Sequence, residues 1–204
     1  MIYELRTYTL KVRALPKVLQ LFAERLEHRQ KYSPLGAFWY TEIGPLNQII
    51  HVWPYESLDE RDRVRAEAGK DPNWPPPVHE YIDVMTSEIM IPFPSSPELK
   101  PAKLGPIYEM RSYMLKAGAV PTLRRLWEEK IVERVKLTPL CAVWTSEIGD
   151  LNKLVHIWPY ESLEQRAEVR AKAVEIGAWP PDGGHLILTQ ENKIMFPAEF
   201  SPLQ

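Results

Sequence analysis

Cysteine is nearly absent from this sequence: Cys141 stands alone. One thiol excludes an intrachain disulfide and any metal site built on several cysteines. It lies in the apolar run LCAVW, where a buried, inert thiol is expected rather than a nucleophile. Long hydrophobic runs are missing too, and none approaches the ~18 residues that a membrane-spanning helix needs. Nor does one sign of charge dominate. With 25 Lys and Arg against 27 Asp and Glu, the formal net charge is −2. Basic residues are interleaved with acidic ones along the presumed helices, so nucleic acid is not an expected partner. There is no Gly-rich phosphate loop, no H-E-x-x-H, no G-x-S-x-G and no carboxylate cluster at metal spacing. No metal is therefore expected and no motif names a cofactor; a haem held by His51 or His156 is the one group left open. The chain opens on MIYELRTY, which reads as a strand almost at once. The expectation is of no leading signal or transit segment and of a cytoplasmic location.

What the sequence does contain, it contains twice. IHVWPYESLDERDRVRA at 50–66 returns as VHIWPYESLEQRAEVRA at 155–171. Ile2 and Ile107, Trp39 and Trp144, His51 and His156, Trp74 and Trp179, and Met90 and Met195 all stand 105 positions apart. The copies therefore align without a gap. Such a period is too long for a solenoid unit and each copy is domain-sized. The expected organisation is a first repeat at 1–97, a linker at 98–106 and a second repeat at 107–204.

Each copy reads strand, helix, strand, strand, helix, strand. Ile2–Leu10 and Ile107–Leu115 are rich in Tyr, Thr and aliphatic residues. The next segments carry Pro16 or Pro121 near their start and an apolar stripe at helical spacing. In the first copy that stripe is Val18, Leu21, Phe22 and Leu26; in the second it is Leu123, Leu126, Trp127 and Ile131. A hairpin follows, turning at 44–47 or 149–152. Ser57-Leu-Asp-Glu60 and Ser162-Leu-Glu-Gln165 are capping boxes that open a second helix. A Trp-Pro-Pro loop leads into the last strand. This βαββαβ order is ferredoxin-like. The expected fold is α+β: two such repeats packed sheet to sheet as an intrachain dimeric α/β barrel, each covering the other's bare face.

Alternation along the strands separates two sets of side chains. Tyr3, Leu5, Ile50 and Val52, with Tyr108, Met110, Val155 and Ile157, are apolar and are expected under the helices. Glu4, Arg6, Tyr8, Trp39, His51 and Trp53 are unchanged in the second copy as Glu109, Arg111, Tyr113, Trp144, His156 and Trp158. These are expected between the sheets, lining a cavity. Buried Glu and Arg must pair with each other or meet a ligand. One reading is a polar cluster that locks the halves in register. The other is a pocket in which Arg6 and Arg111 anchor an anion, Trp forms the wall, and His51 and His156 are catalytic, handling a proton. Arg61, Arg65, Arg166 and Arg170 read as a surface stripe. Trp74 and Trp179 read as loop anchors, and His79 and His185 as surface residues.

The segments IYELRTYTLK, W-x-T-E-I-G-P-L-N-Q-I-I-H-V-W-P-Y-E-S-L-D-E-R and the closing Ile-Met-x-Pro resemble the NIPSNAP family, in two tandem copies over nearly the whole chain. The resemblance implies the dimeric α/β-barrel superfamily, whose single-copy members pair as dimers. The family's activity is poorly defined. Superfamily neighbours include monooxygenases and haem-degrading enzymes, but none of their catalytic sets maps onto this chain, and fold does not set function. Two functions follow. The first is binding of a small aromatic or anionic metabolite in the barrel cavity, with oxygenase-like or isomerase-like chemistry. The second is a non-catalytic interaction or structural module. Further homo-oligomerisation is left open.

Overall fold

The computed structural model describes residues 1–204. The first repeat consists of β1 (Ile2–Leu10), α1 (Leu15–Gln30), β2 (Ala37–Ile43), β3 (Gln48–Tyr55), α2 (Leu58–Ala68) and β4 (Ile82–Pro92). The second repeats this order as β5 (Ile107–Leu115), α3 (Val120–Arg134), β6 (Ala142–Ile148), β7 (Lys153–Tyr160), α4 (Leu163–Glu175) and β8 (Ile187–Pro197). Local chemistry explains the boundaries. Pro lies in the first turn of both α1 and α3, where its missing N–H costs nothing. The Ser57 and Ser162 hydroxyls accept from the backbone N–H groups of Glu60 and Gln165. In return, the Glu60 and Gln165 side chains accept from the N–H groups of Glu56 and Glu161. The hairpins turn on Gly44 and Asn47, or Gly149 and Asn152, all at positive φ. No helix is long and apolar enough to cross a membrane.

The eight strands close into one antiparallel barrel in the order β1-β3-β2-β8-β5-β7-β6-β4. Two seams join the halves, with β2 on β8 and β4 on β6. Each half thereby covers the other's open strand edges, a liability for any free sheet. The linker supplies Leu99 to the interior, where it packs with residues of both halves.

The two faces of the sheet are the reverse of those expected. Tyr3, Leu5, Ile50 and Val52 point into the barrel, where they form one apolar cluster with Tyr108, Met110, Val155 and Ile157. Tyr3 stacks on Trp144 across the axis with ring centroids 4.9 Å apart, and Trp39 meets Tyr108 at 5.3 Å. Cys141 also lies in this cluster, and burial pushes its thiol pKa up. Glu4, Arg6, Tyr8, His51 and Trp53, with their counterparts, face the helices instead. Tyr8 and Trp53 pack with the α1 stripe, and Glu4 is bonded by Arg61 of α2. The reason is physical. The interior is filled by side chains and sealed from water, so unpaired charge there would be prohibitively costly. The gap between the sheet and the second helices carries Arg side chains that neutralise the Glu. Only Trp39 and Trp144 of the polar-face set lie within the barrel, as expected of them.

Candidate functional site

Each half builds the same charged knot. Glu4 is fully buried, and its Oε1 accepts from Arg6 at 2.7 Å, Arg61 at 2.8 Å and Ser87 at 2.7 Å, with Arg65 3.6 Å away. Glu109 repeats this with Arg111 at 2.7 Å, Arg166 at 2.6 Å and Asn192 at 2.9 Å. Burial alone would raise the Glu4 pKa. Bonds from Arg61 and Ser87 and the charges of Arg6 and Arg65 outweigh it, bringing it to about 2. Glu109 likewise falls to about 2 despite burial, through Arg166, Asn192 and Arg111. Arg61 and Arg166 are therefore structural partners of a buried carboxylate rather than members of a surface stripe.

Beside the knot lies an imidazole with a defined tautomer. The Trp53 indole N–H donates to His51 Nδ1 at 2.7 Å, and Trp158 does the same to His156. Since Nδ1 accepts, the proton of the neutral ring sits on Nε2. Burial first, then the charge of Arg6, lowers the His51 pKa to about 3; burial and Arg111 do the same to His156. Nε2 of either ring has no partner. Around His51 stand Tyr8, Phe38 and Phe22, with ring centroids at 4.9, 5.3 and 5.6 Å. A ring whose pKa lies near 3 and whose Nδ1 already accepts from Trp is poorly suited to shuttling protons at neutral pH. Trp53 and Trp158 occupy the Nδ1 lone pairs and so place the proton on Nε2, leaving neither nitrogen with a free lone pair for iron. The residues present therefore do not fit an axial haem ligand.

A cavity of about 480 Å³ opens between sheet and helices in the first half. Arg6, Arg29 and Arg65 line it, with Tyr8, Phe22, His51, Trp53, Trp74 and Pro75–Val78 as walls and no carboxylate among the lining residues. Arg29 is buried; it donates to Ser33 Oγ and Tyr55 Oη, both at 2.8 Å, and lies 4.3 Å over the Trp53 ring. The equivalent space in the second half measures only about 220 Å³, lined by Arg111, Arg134, Arg170, Tyr113, His156 and Trp158 among others. Three replacements shrink it. Trp127 stands where the first half has Phe22 and packs edge-on against Trp179 at 4.6 Å. Val174 replaces Gly69 at the wall. Gly183 replaces Val78, letting the loop approach so closely that a Cβ there would collide with the Leu123 side chain.

Of the residues singled out from sequence, Glu4, Arg6, Tyr8, His51 and Trp53 come together around the first pocket. Glu109, Arg111, Tyr113, His156 and Trp158 do so around the second. Trp39 and Trp144 line neither. Arg65, Arg170, Trp74 and Trp179, read as surface or anchoring residues, all line pockets, and His79 joins the first. Arg29 and Arg134 are not among the residues that the motifs single out. The signal was present: each extends the buried stripe of its helix by three residues, after Leu26 in one copy and Ile131 in the other.

Two ferredoxin-like halves closed into one barrel define a protein of the dimeric α/β-barrel type, with one chain supplying both halves. A solved chain from Fusobacterium nucleatum, described provisionally as a monooxygenase, shares this fold at TM-score 0.68. That likeness covers 97% of this chain and 92% of that one at 11% identity. The NIPSNAP family model matches twice, at residues 3–97 and 108–202. Human NipSnap homolog 3B is 31% identical over 212 residues, covering 99% of this chain and 85% of that protein. The Dictyostelium discoideum NipSnap homolog is 30% identical, over 87% and 78% respectively. The chain belongs to the NIPSNAP family.

Proposed function

We propose that the first-half pocket binds a small organic anion with a flat, apolar body. One observation carries this reading: three guanidinium groups and no carboxylate line a cavity whose remaining wall is mostly aromatic, prolyl and aliphatic. Its volume lies in the range of small-molecule sites. The guanidinium forks match carboxylate geometry, and Trp53, already stacked by Arg29, offers a flat surface to a planar ligand. His51 and Trp53 then act as a rigid floor rather than as an acid–base pair, so recognition is favoured over proton-transfer chemistry.

The test is calorimetric titration of the intact chain with a panel of aromatic carboxylates and their uncharged amides at fixed ionic strength. Carboxylates should bind and amides should not. Arg65→Gln, at the pocket rim, should weaken binding by about tenfold or more, the scale of one charge-assisted contact. Equal affinity for acid and amide, or no binding by any carboxylate, would sink the proposal.

A further inference from the structure

The second pocket differs from the first in more than size. Arg134 is only 2% exposed and its Nη1 has no hydrogen-bond partner. Its Nη2 donates to the neutral Tyr160 hydroxyl at a long 3.3 Å, and its Cζ lies 4.1 Å from the Trp158 ring centroid. The first half does not share this deficit, because Ser33 occupies one fork of Arg29 there. At the matching position stands Thr138, whose hydroxyl donates instead to the Pro159 carbonyl at 3.1 Å. One replacement has therefore released a buried guanidinium N–H.

The surroundings leave that cation uncompensated. Arg111, Arg134 and Arg170 line the space and no carboxylate does. Glu109, behind it, already holds Arg111 and Arg166, with Arg170 at 3.8 Å. Three guanidinium groups thus share one carboxylate, and no ion pair reaches Arg134. A buried, unpaired charge is costly unless something meets it. A space of about 220 Å³ has room for a tetrahedral or planar oxyanion.

We infer that the second half is a separate site for a small oxyanion, held by Arg134, Arg111 and Arg170. The anion supplies the counter-charge that the protein omits, and its chemistry is that of phosphate, sulfate or a short carboxylate. Where the first pocket takes an organic anion, the duplicated pocket has divided its work between the halves. The claim rests on Arg134 and stands whether or not the first pocket takes a ligand.

The experiment is thermal melting of the intact chain in inorganic phosphate, in acetate and in chloride at constant ionic strength, joined to crystals soaked in selenate. An anion that binds only the folded state raises Tm saturably. Phosphate or acetate should do so relative to chloride, and the stronger arm tells a tetrahedral site from a carboxylate site. Selenium anomalous signal is expected within hydrogen-bonding distance of Arg134 Nη1. Arg134→Gln should abolish the response, and because that variant removes a buried group, Arg170→Gln at the exposed rim provides a second reading. It should keep the fold and weaken the response by about tenfold. A Tm indifferent to both anions, an undiminished response in Arg170→Gln, or selenium at the first pocket alone would each overturn the assignment.

Discussion

Glu4, Glu109, His51 and His156 are the buried groups whose shifted pKa values bear on acid stability. The His pKa values lie near 3 in the folded protein against 6.5 ordinarily, so the unfolded chain takes up protons first as pH falls. Their contribution is complete above about pH 6.5 and declines as pH drops toward 3. The Glu values lie near 2 against 4.5, so their contribution is complete above about 4.5 and is lost as pH falls through 2. Each Glu contributes on the order of 3 kcal/mol. Melting followed between pH 7 and 3 should therefore show two stages of loss, the first set by His. In a His51→Gln, His156→Gln double variant the first stage should vanish while the second remains. An unchanged slope between pH 6.5 and 4.5 would show that these rings do not titrate as the geometry requires.

At the scale of elements, α1 and α3 decide which pocket is open. Both present the same stripe, and Phe22 against Trp127 is its principal difference in bulk. Phe22→Trp should reproduce the closed state in the first half and weaken carboxylate binding by at least about tenfold. Overpacking of this kind costs roughly 1–3 kcal/mol, so the fold should survive. Trp127→Phe should conversely enlarge the second space. Titration of both variants checks this, and an unaffected affinity in Phe22→Trp would mean the ligand sits elsewhere. Much at this scale was legible beforehand: the strands, the capping boxes and the hairpin turns rest on local chemistry. The pocket linings were not, because Arg65 and Arg170 read as solvent-facing until the curvature of the sheet brings α2 and α4 over Glu4 and Glu109.

Across the whole molecule, the halves have become chemically distinct where they meet. Lys153 of β7 reaches Glu88 of β4 at 2.8 Å, and Lys193 of β8 donates to Gln48 of β3 at 2.9 Å. Glu88 and Lys193 occupy equivalent positions, as do Gln48 and Lys153. Two copies of the second half would thus set Lys against Lys, whereas the natural pairing sets Lys against Glu or Gln. Glu88→Lys should lower stability by roughly 3 kcal/mol, the scale of a broken buried pair. Adding Lys153→Glu should recover most of it. Denaturant unfolding of the single and double variants measures the coupling, and simple additivity would show that the contact contributes nothing to pairing.

The sequence by itself determined the duplication, the βαββαβ order, the pairing of halves and the identity of the polar strand set, because repeats, periodicity and caps are local or self-referential signals. Tertiary structure alone decided which strand face looks inward. Both faces of a barrel strand are buried, so alternation separates them without saying which is which. The answer depends on where water and counter-charge remain available, and that is a property of the closed barrel and its covering helices together.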